Sequence, residues 1–265
     1  MTLREAFLKQ SMQELHVAAQ LVAAIGHTYL PPHERHHHMA LLWDARGWLK
    51  SQVARPGKSF EVALDIEHLQ LHFLGHADAP QGEPSATLTL RGKTLKQAYT
   101  WLDEQLARYL NREFEHVSRL EELPYTLPSY PIQRGSMFTF HDAALKTCKE
   151  ALSNGYAQIA YLHKQYASNA HPILIWPKHL ILSALFTEAD REIDAGFSFP
   201  TAKVSQPHYF LRSTQTPDAK PERPHGQWVG EKLVSTAETP QEITAFLTEN
   251  MHYLWTLPHQ SKDFF

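Results

Sequence analysis

Residues 60–74 read Phe60-Glu61-Val62-Ala63-Leu64-Asp65-Ile66-Glu67-His68-Leu69-Gln70-Leu71-His72-Phe73-Leu74. Two apolar-rich runs, Phe60–Leu64 and His68–Leu74, flank a polar corner at Asp65-Ile66-Glu67, the pattern of a β-hairpin. Successive strands with no helix between them pair antiparallel, so this stretch points to α+β and away from βαβ winding.

Working outward, the periodicity places this hairpin inside a helix–strands–helix order. Upstream, Leu3, Phe7, Leu8, Met12, Leu15, Ala19, Val22 and Ile25 recur at helical spacing over residues 3–25, and Pro31-Pro32 ends that helix. A strand is expected from about Met39 to Leu49. Downstream, a Gly/Pro/Asp-rich loop at 75–84 leads to Ala86-Thr87-Leu88-Thr89-Leu90, which alternates as a half-buried strand does. A helix over 95–110 follows, with Leu95, Tyr99, Leu102, Leu106 and Tyr109 on one face.

After a Pro-rich connector at 121–136 the plan restarts. A helix is expected over 142–167, then strands at Ile173–Phe186, Glu192–Phe199, Gln206–Arg212 and Trp228–Val234, then a helix over 240–256. Pro177 cannot donate to a ladder, so a bulge or bend is expected inside the first of these strands. Thr94-Leu95-Lys96-Gln97 and Thr239-Pro240-Gln241-Glu242 both have the form of a capping box. The reading is α+β: two similar αββββα halves, 1–120 and 137–265, with antiparallel sheets covered by helices in one pseudo-symmetric unit. The likeness of the closing helices suggests an internal repeat.

Composition narrows the function. At 265 residues with 43% apolar and 20% charged side chains, the chain is an ordinary globular one. A net charge of −3 without a Lys/Arg cluster argues against a nucleic-acid partner. The N-terminus lacks an uninterrupted apolar core for a signal peptide, and the longest apolar stretch, 172–186, is too short to span a bilayer. One cysteine, Cys148, on an apolar helical stripe, fits a reducing cytoplasm and reads as a buried hydrophobe.

Histidine is the abundant chemistry-bearing residue, 18 in all, with His33, His36, His37 and His38 packed behind Pro31-Pro32. In an extended chain His36 and His38 point the same way and can share a divalent metal such as zinc, given a third ligand such as Asp65. The alternative is a polar approach to a strand, with solvated histidines. No His-Glu-x-x-His, Gly-x-Ser-x-Gly, dinucleotide or P-loop pattern occurs. Asp44 and Arg46, two apart on the expected first strand, form either a surface ion pair or a ligand contact. In the second half, Phe197, Phe199 and Tyr209 with His208 and Asp194 read as either core or pocket wall. His16 and Gln20 lie on the polar stripe of the first helix, which by amphipathicity faces solvent.

Leu15-His16-Val17-Ala18-Ala19-Gln20, followed by Pro31-Pro32, the histidine block and Ala45-Arg46-Gly47, resembles an uncharacterised bacterial family known only as a domain of unknown function. Members resemble this chain in a Phe…Asp…His hairpin, here Phe60, Asp65 and His68, with one more residue between Phe and Asp. His171-Pro172-Ile173-Leu174-Ile175-Trp176 and Asp194-Ala195-Gly196-Phe197-Ser198-Phe199-Pro200 are similar to two later motifs. The succession covers roughly residues 10 to 215. The family's Arg-Phe-Ser-Gly-Arg is absent here, where Leu185-Phe186-Thr187-Glu188 stands, and Ser198-Phe199 replaces its Trp. The resemblance implies no activity. It places His16, Gln20, Arg46, His68 and Gly196-Phe197 at motif positions, and so moves His16 and Gln20 away from the surface reading.

The expectation is a cytoplasmic protein that binds a small polar or amphipathic molecule in a His/Arg-lined cavity, with His16, Gln20, His38, Arg46 and His68 as ligand contacts. Whether it is an enzyme stays open. The alternatives are a non-enzymatic interaction or assembly module, and a metal-dependent hydrolase using His36, His38 and Asp65, whose metal would make a bound water nucleophilic near neutral pH.

Overall fold

The computed structural model describes residues 2–55, 58–75, 83–189, 191–214, 220, 222–223 and 225–257; residues 76–82 of the expected loop lie outside them. Among the described residues are four α-helices and two antiparallel sheets, of five and six strands, so the α+β expectation holds. The chain divides into two units. One holds residues up to Glu150 together with Ile175–Leu180; the other holds Ala151–Leu174 and Ile181 onward.

The first unit is built on α1 (Leu3–Tyr29), which starts at a reciprocal capping box between Thr2 and Glu5. Residues 17–25, Val-Ala-Ala-Gln-Leu-Val-Ala-Ala-Ile, have no solvent exposure at all. Their small side chains let other parts of the unit close on every side of the helix. The helix runs four residues beyond the expected Ile25. It stops where Leu30 N–H bonds the Gly26 carbonyl and Pro31 follows, unable to donate.

The five-stranded sheet is a meander: β1 (Leu42–Trp43), β2 (Trp48–Arg55), β3 (Lys58–Asp65), β4 (Gln70–Leu74) and β5 (Ala86–Thr89) pair in order. The hairpin read at 65–67 is present, with Asp65 opposite Gln70. The single strand expected over 39–49 is not. His37–Met39 is a short 3-10 turn, and a tight turn separates β1 from β2. The Asp44 carboxylate makes that second turn by accepting the backbone N–H groups of Arg46 and Trp48, and Gly47 takes the left-handed φ of +79° that closes it. Asp44 and Arg46 therefore belong to a corner, not to a strand face.

Register divides the sheet cleanly. Leu49, Val53, Val62, Leu64, Leu71 and Phe73 share one fully buried face, and α1 packs on β2 and β3. Trp48, Lys50, Glu61, Asp65, His72 and Thr87 share the other. The helix α2 (Leu95–Leu110) keeps the expected Thr94/Gln97 capping box and buries Tyr99, Leu102 and Leu106. Its Tyr109 packs edge-on against Phe60 and Phe73 and donates to the Ser59 carbonyl.

The six-stranded sheet contains β6 (Leu174–Trp176), β7 (Ile181–Glu188), β8 (Arg191–Ser198), β9 (His208–Ser213), β10 (Gln227–Val229) and β11 (Lys232–Ser235), ordered β10-β11-β9-β8-β7-β6. Two expected strands are each two. The bend foreseen at Pro177 is a full turn over 177–180, with Leu180 at φ +51°. Trp228–Val234 is a hairpin through Gly230, at φ +63°. Phe197, Phe199 and Tyr209 pack on one another with Phe197 ring centroids 5.6 and 5.3 Å from the other two, and all three are buried as core.

Of the remaining helices, α3 (Asp142–Gln165) buries Cys148, and burial pushes its thiol up to about 12. The last, α4 (Pro240–Thr256), begins with the Thr239 hydroxyl accepting from Glu242 N–H. It ends in a clamp: buried Arg191 of β8 donates to the carbonyls of Leu254, Trp255 and Leu257, which the helix itself leaves unsatisfied. No helix among the described residues is long and apolar enough to cross a membrane.

Candidate functional site

The ligand and metal candidates His16, Gln20, His36, His38, Arg46, Asp65 and His68 fall into three separate groups of contacts, all within the first unit. In the first group, amphipathicity misplaces His16 and Gln20. Gln20 has no solvent exposure, and every polar atom of its amide is used. Its Nε2 donates to the carbonyls of His16 (3.0 Å) and Pro177 (2.8 Å), and its Oε1 accepts from the Tyr125 hydroxyl (2.7 Å). His16 Nε2 lies 3.0 Å from the carbonyls of both Pro177 and Lys178, so it carries the proton, leaving Nδ1 to accept from Tyr130 at 3.2 Å. Burial holds the His16 pKa below its ordinary value, against the pull of those two carbonyls. The pair clamps the 177–178 turn and the 125–130 connector onto α1. Ile175 continues that attachment by pairing with Leu41 in both directions, at 2.8 Å.

The second group surrounds His38. His36 takes the left-handed region at φ +56°, and the next residues coil, so the block is not the extended chain that would aim His36 and His38 together. Their rings sit 6.1 Å apart and tilted by 51°. His38 is buried, and its Nδ1 accepts the His33 backbone N–H at 3.1 Å. His27 of α1 lies 5.9 Å away, ring to ring. The third residue of the expected metal set, Asp65, is committed elsewhere, to His68 and Glu67. Among the described residues no group of three or more His, Cys, Asp or Glu is placed to hold a metal ion.

The third group gathers Arg46 and His68 with residues the sequence did not flag as a set. At the turn before β2, Arg46 grips Asp44 through Nε (2.9 Å) and Nη2 (2.7 Å) and lays its guanidinium 3.8 Å over the Trp48 ring. Trp48 in turn stacks on His72 of β4, with centroids 4.3 Å apart. Directly across from Trp48 in the ladder stands Asp65, whose Oδ2 takes His68 Nδ1 at 2.7 Å while Oδ1 accepts Glu67 N–H at 2.9 Å. That second bond fixes the carboxylate. His68 lies in the turn, with 62% of its side chain exposed, so its other ring nitrogen is open to solvent. Lys149 of α3 reaches in to Glu67 at 2.8 Å, holding that carboxyl below the usual carboxylate range, and its stem crosses Gly47, where a Cβ would lie 2.6 Å from Cε.

No family model matches this chain, and neither does any curated protein or solved structure. The chemistry of the third group therefore speaks for itself. His72 is 6% exposed; its Nδ1 meets the Thr87 hydroxyl at 2.9 Å, while its buried Nε2 has no hydrogen-bond partner among the described residues. Such a group costs about 1–3 kcal/mol when left unmet. Burial is the main cause that lowers the His72 pKa; Asp65 opposes it, and Arg46 and His68 add to it.

The arrangement combines a guanidinium, an exposed imidazole oriented by a fixed carboxylate, and an unmet imidazole nitrogen under an indole. It can hold a compact polar group and, through His68, exchange a proton with it. Sequence reading missed Trp48, Thr87 and Lys149. The first two were visible only through register: Trp48 is opposite Asp65 once β2 starts at residue 48, and Thr87 is opposite His72 once β5 pairs with β4.

Proposed function

We propose that this chain binds a small polar or amphipathic molecule on the sheet face that carries Arg46, Trp48, Asp65, His68 and His72. The observation behind this reading is the buried His72 Nε2, which has no partner among the described residues in the midst of fixed polar side chains. Natural folds meet nearly all of their buried polar atoms, and an exception is met by a water, an ion or a ligand or serves a chemical role. His16, Gln20 and His38, first counted as contacts, lie outside this group of contacts, and each spends ring or amide atoms on backbone groups. The resemblance to the bacterial family gives Arg46 and His68 motif positions and so favours the same face. A cytoplasmic setting is part of this reading and rests on the single buried cysteine.

The test is a screen of polar metabolites by two-dimensional NMR of the whole chain. A true ligand shifts the Trp48 indole and His72 ring signals, and its affinity falls at least tenfold in Arg46→Ala and His68→Ala. If hits leave those signals in place, or both variants bind as well as the parent, the site is elsewhere.

A further inference from the structure

His27, His33, His36, His37 and His38 meet where the segment 33–38 folds back on the last turn of α1. The approach is close: a Cβ on Gly26 would lie 1.9 Å from the His38 carbonyl oxygen, and the His38 side chain is buried. Its ring faces His27 of α1 at 5.9 Å and His36 at 6.1 Å. His33 stacks on His37 at 4.5 Å, and His37 meets Trp176 of β6 edge to face at 5.3 Å.

The charges that act on His38 come from His27 on α1 and from His33 and His36 on its own segment, with no carboxylate among them. Trp176 is uncharged, and Glu34 and Arg35 of the segment are exposed. His27 Nδ1 is buried with no hydrogen-bond partner among the described residues. Each proton added to the cluster therefore meets further imidazoles that gain the same charge, and none of them cancels it.

Neutral imidazole is also part of the closed form. His38 Nδ1 accepts the His33 N–H at 3.1 Å, which ties the two ends of the segment together, and a proton on Nδ1 removes that acceptor. His36 sits at φ +56°, a conformation uncommon for a residue with a Cβ, so opening the segment relieves it. Beyond His38 the chain is anchored, since Met39 and Leu41 are buried and Leu41 pairs with Ile175.

We propose that residues 33–38 form an acid-released latch on the last turn of α1, closed while His38 and the imidazoles around it are neutral and open once they take up protons. Burial, and then the neighbouring imidazoles, hold the His38 pKa below its ordinary value. The folded value is the lower one, so closure is complete above about 6.5 and is lost as pH falls toward the folded value. The latch shares no residue with the site around His72 and does not depend on it.

Proton NMR of the full chain at pH 7.5 and 5.5, on either side of the ordinary imidazole value, tests the latch. The nuclear Overhauser contacts between the His27 and His38 rings and between His37 and Trp176 are expected at pH 7.5 and lost at pH 5.5. The methyl signals of Leu64 and Leu71 on the buried sheet face should keep their native positions throughout. In His38→Asn, whose side-chain oxygen accepts from His33 N–H without titrating, the contact of His37 with Trp176 is expected to persist at pH 5.5. Ring contacts that survive at pH 5.5 in the parent, or that vanish only as the Leu64 and Leu71 signals collapse, overturn the latch whether or not the variant folds. A folded His38→Asn that opens as the parent does overturns it equally.

Discussion

Trp48 lies flat on His72, with ring planes 17° apart, although the two belong to β2 and β4 and a strand runs between them. The intervening residue opposite His72 is Ala63, whose methyl group leaves the space in which the rings meet. Trp48 thus covers the imidazole that has an unmet nitrogen. Truncating it in Trp48→Ala is expected to lower stability by roughly 3 kcal/mol through lost packing. His72→Phe keeps a ring under the indole and removes the unmet atom, so its loss of the Thr87 bond is offset and stability stays within about 1 kcal/mol of the parent. Urea unfolding of both variants checks the pair; a His72→Phe loss as large as that of Trp48→Ala would show that His72 is fully bonded in solution.

Gly26 sits in the last full turn of α1, where a Cβ would lie 1.9 Å from the His38 backbone oxygen. That neighbour is backbone and cannot swing aside. Gly26→Ala is therefore expected to cost roughly 3 kcal/mol, or to displace the 37–39 turn outright, against the gain in helix propensity that the same change brings at an open helical site. Circular dichroism melts and the amide signals of His37 and His38 report which occurs. A variant as stable as the parent, with those signals unmoved, contradicts the close approach.

Acid is expected to weaken the fold. His16, His38, His72 and His208 are all held below the ordinary histidine pKa, burial being the first cause in each. Below about 6.5 the unfolded chain takes up protons that the folded chain refuses, so stability falls as pH drops through that value toward the folded pKa values. At His38 a proton on Nδ1 would also break the bond from His33 N–H. His38→Asn supplies an oxygen in the place of Nδ1 that does not titrate, and should flatten part of the dependence. Urea midpoints at pH 7.5, 6.5 and 5.5 measure it; a midpoint that rises toward pH 5.5 refutes the sign.

Gln20 joins α1 to two other segments through Pro177 and Tyr125. Gln20→Leu matches its size but takes one of two side-chain donors from the Pro177 carbonyl, which keeps His16 Nε2, and removes the acceptor of the Tyr125 hydroxyl, with an expected loss of about 1–3 kcal/mol. Limited proteolysis should then cut within 125–130 and 177–180 sooner than in the parent. Unchanged cleavage there would mean that other contacts hold these segments.

How much was legible follows from the kind of signal each feature leaves. The hairpin at 65–67 was readable because both strands alternate and the corner is polar, and the Thr94 cap because its partner lies three residues away. The turn at Asp44–Gly47 was missed because Met39–Leu49 keeps apolar residues frequent across it, so periodicity alone hides the break. His16 and Gln20 were sent to solvent by a rule that assumes one wet face, whereas the stripe that carries them is covered by segments more than 100 residues away in sequence.

Sequence alone determined the α+β class, the antiparallel pairing of consecutive strands and the ends of α2 and α4, because these depend on neighbours within a few residues. Only tertiary structure decided that Gln20 is a clamp and that Arg46 rests on Trp48 and Trp48 on His72. Those relations rest on register and on long-range packing, and a shift of one residue in any strand would have sent the same side chains to the opposite face.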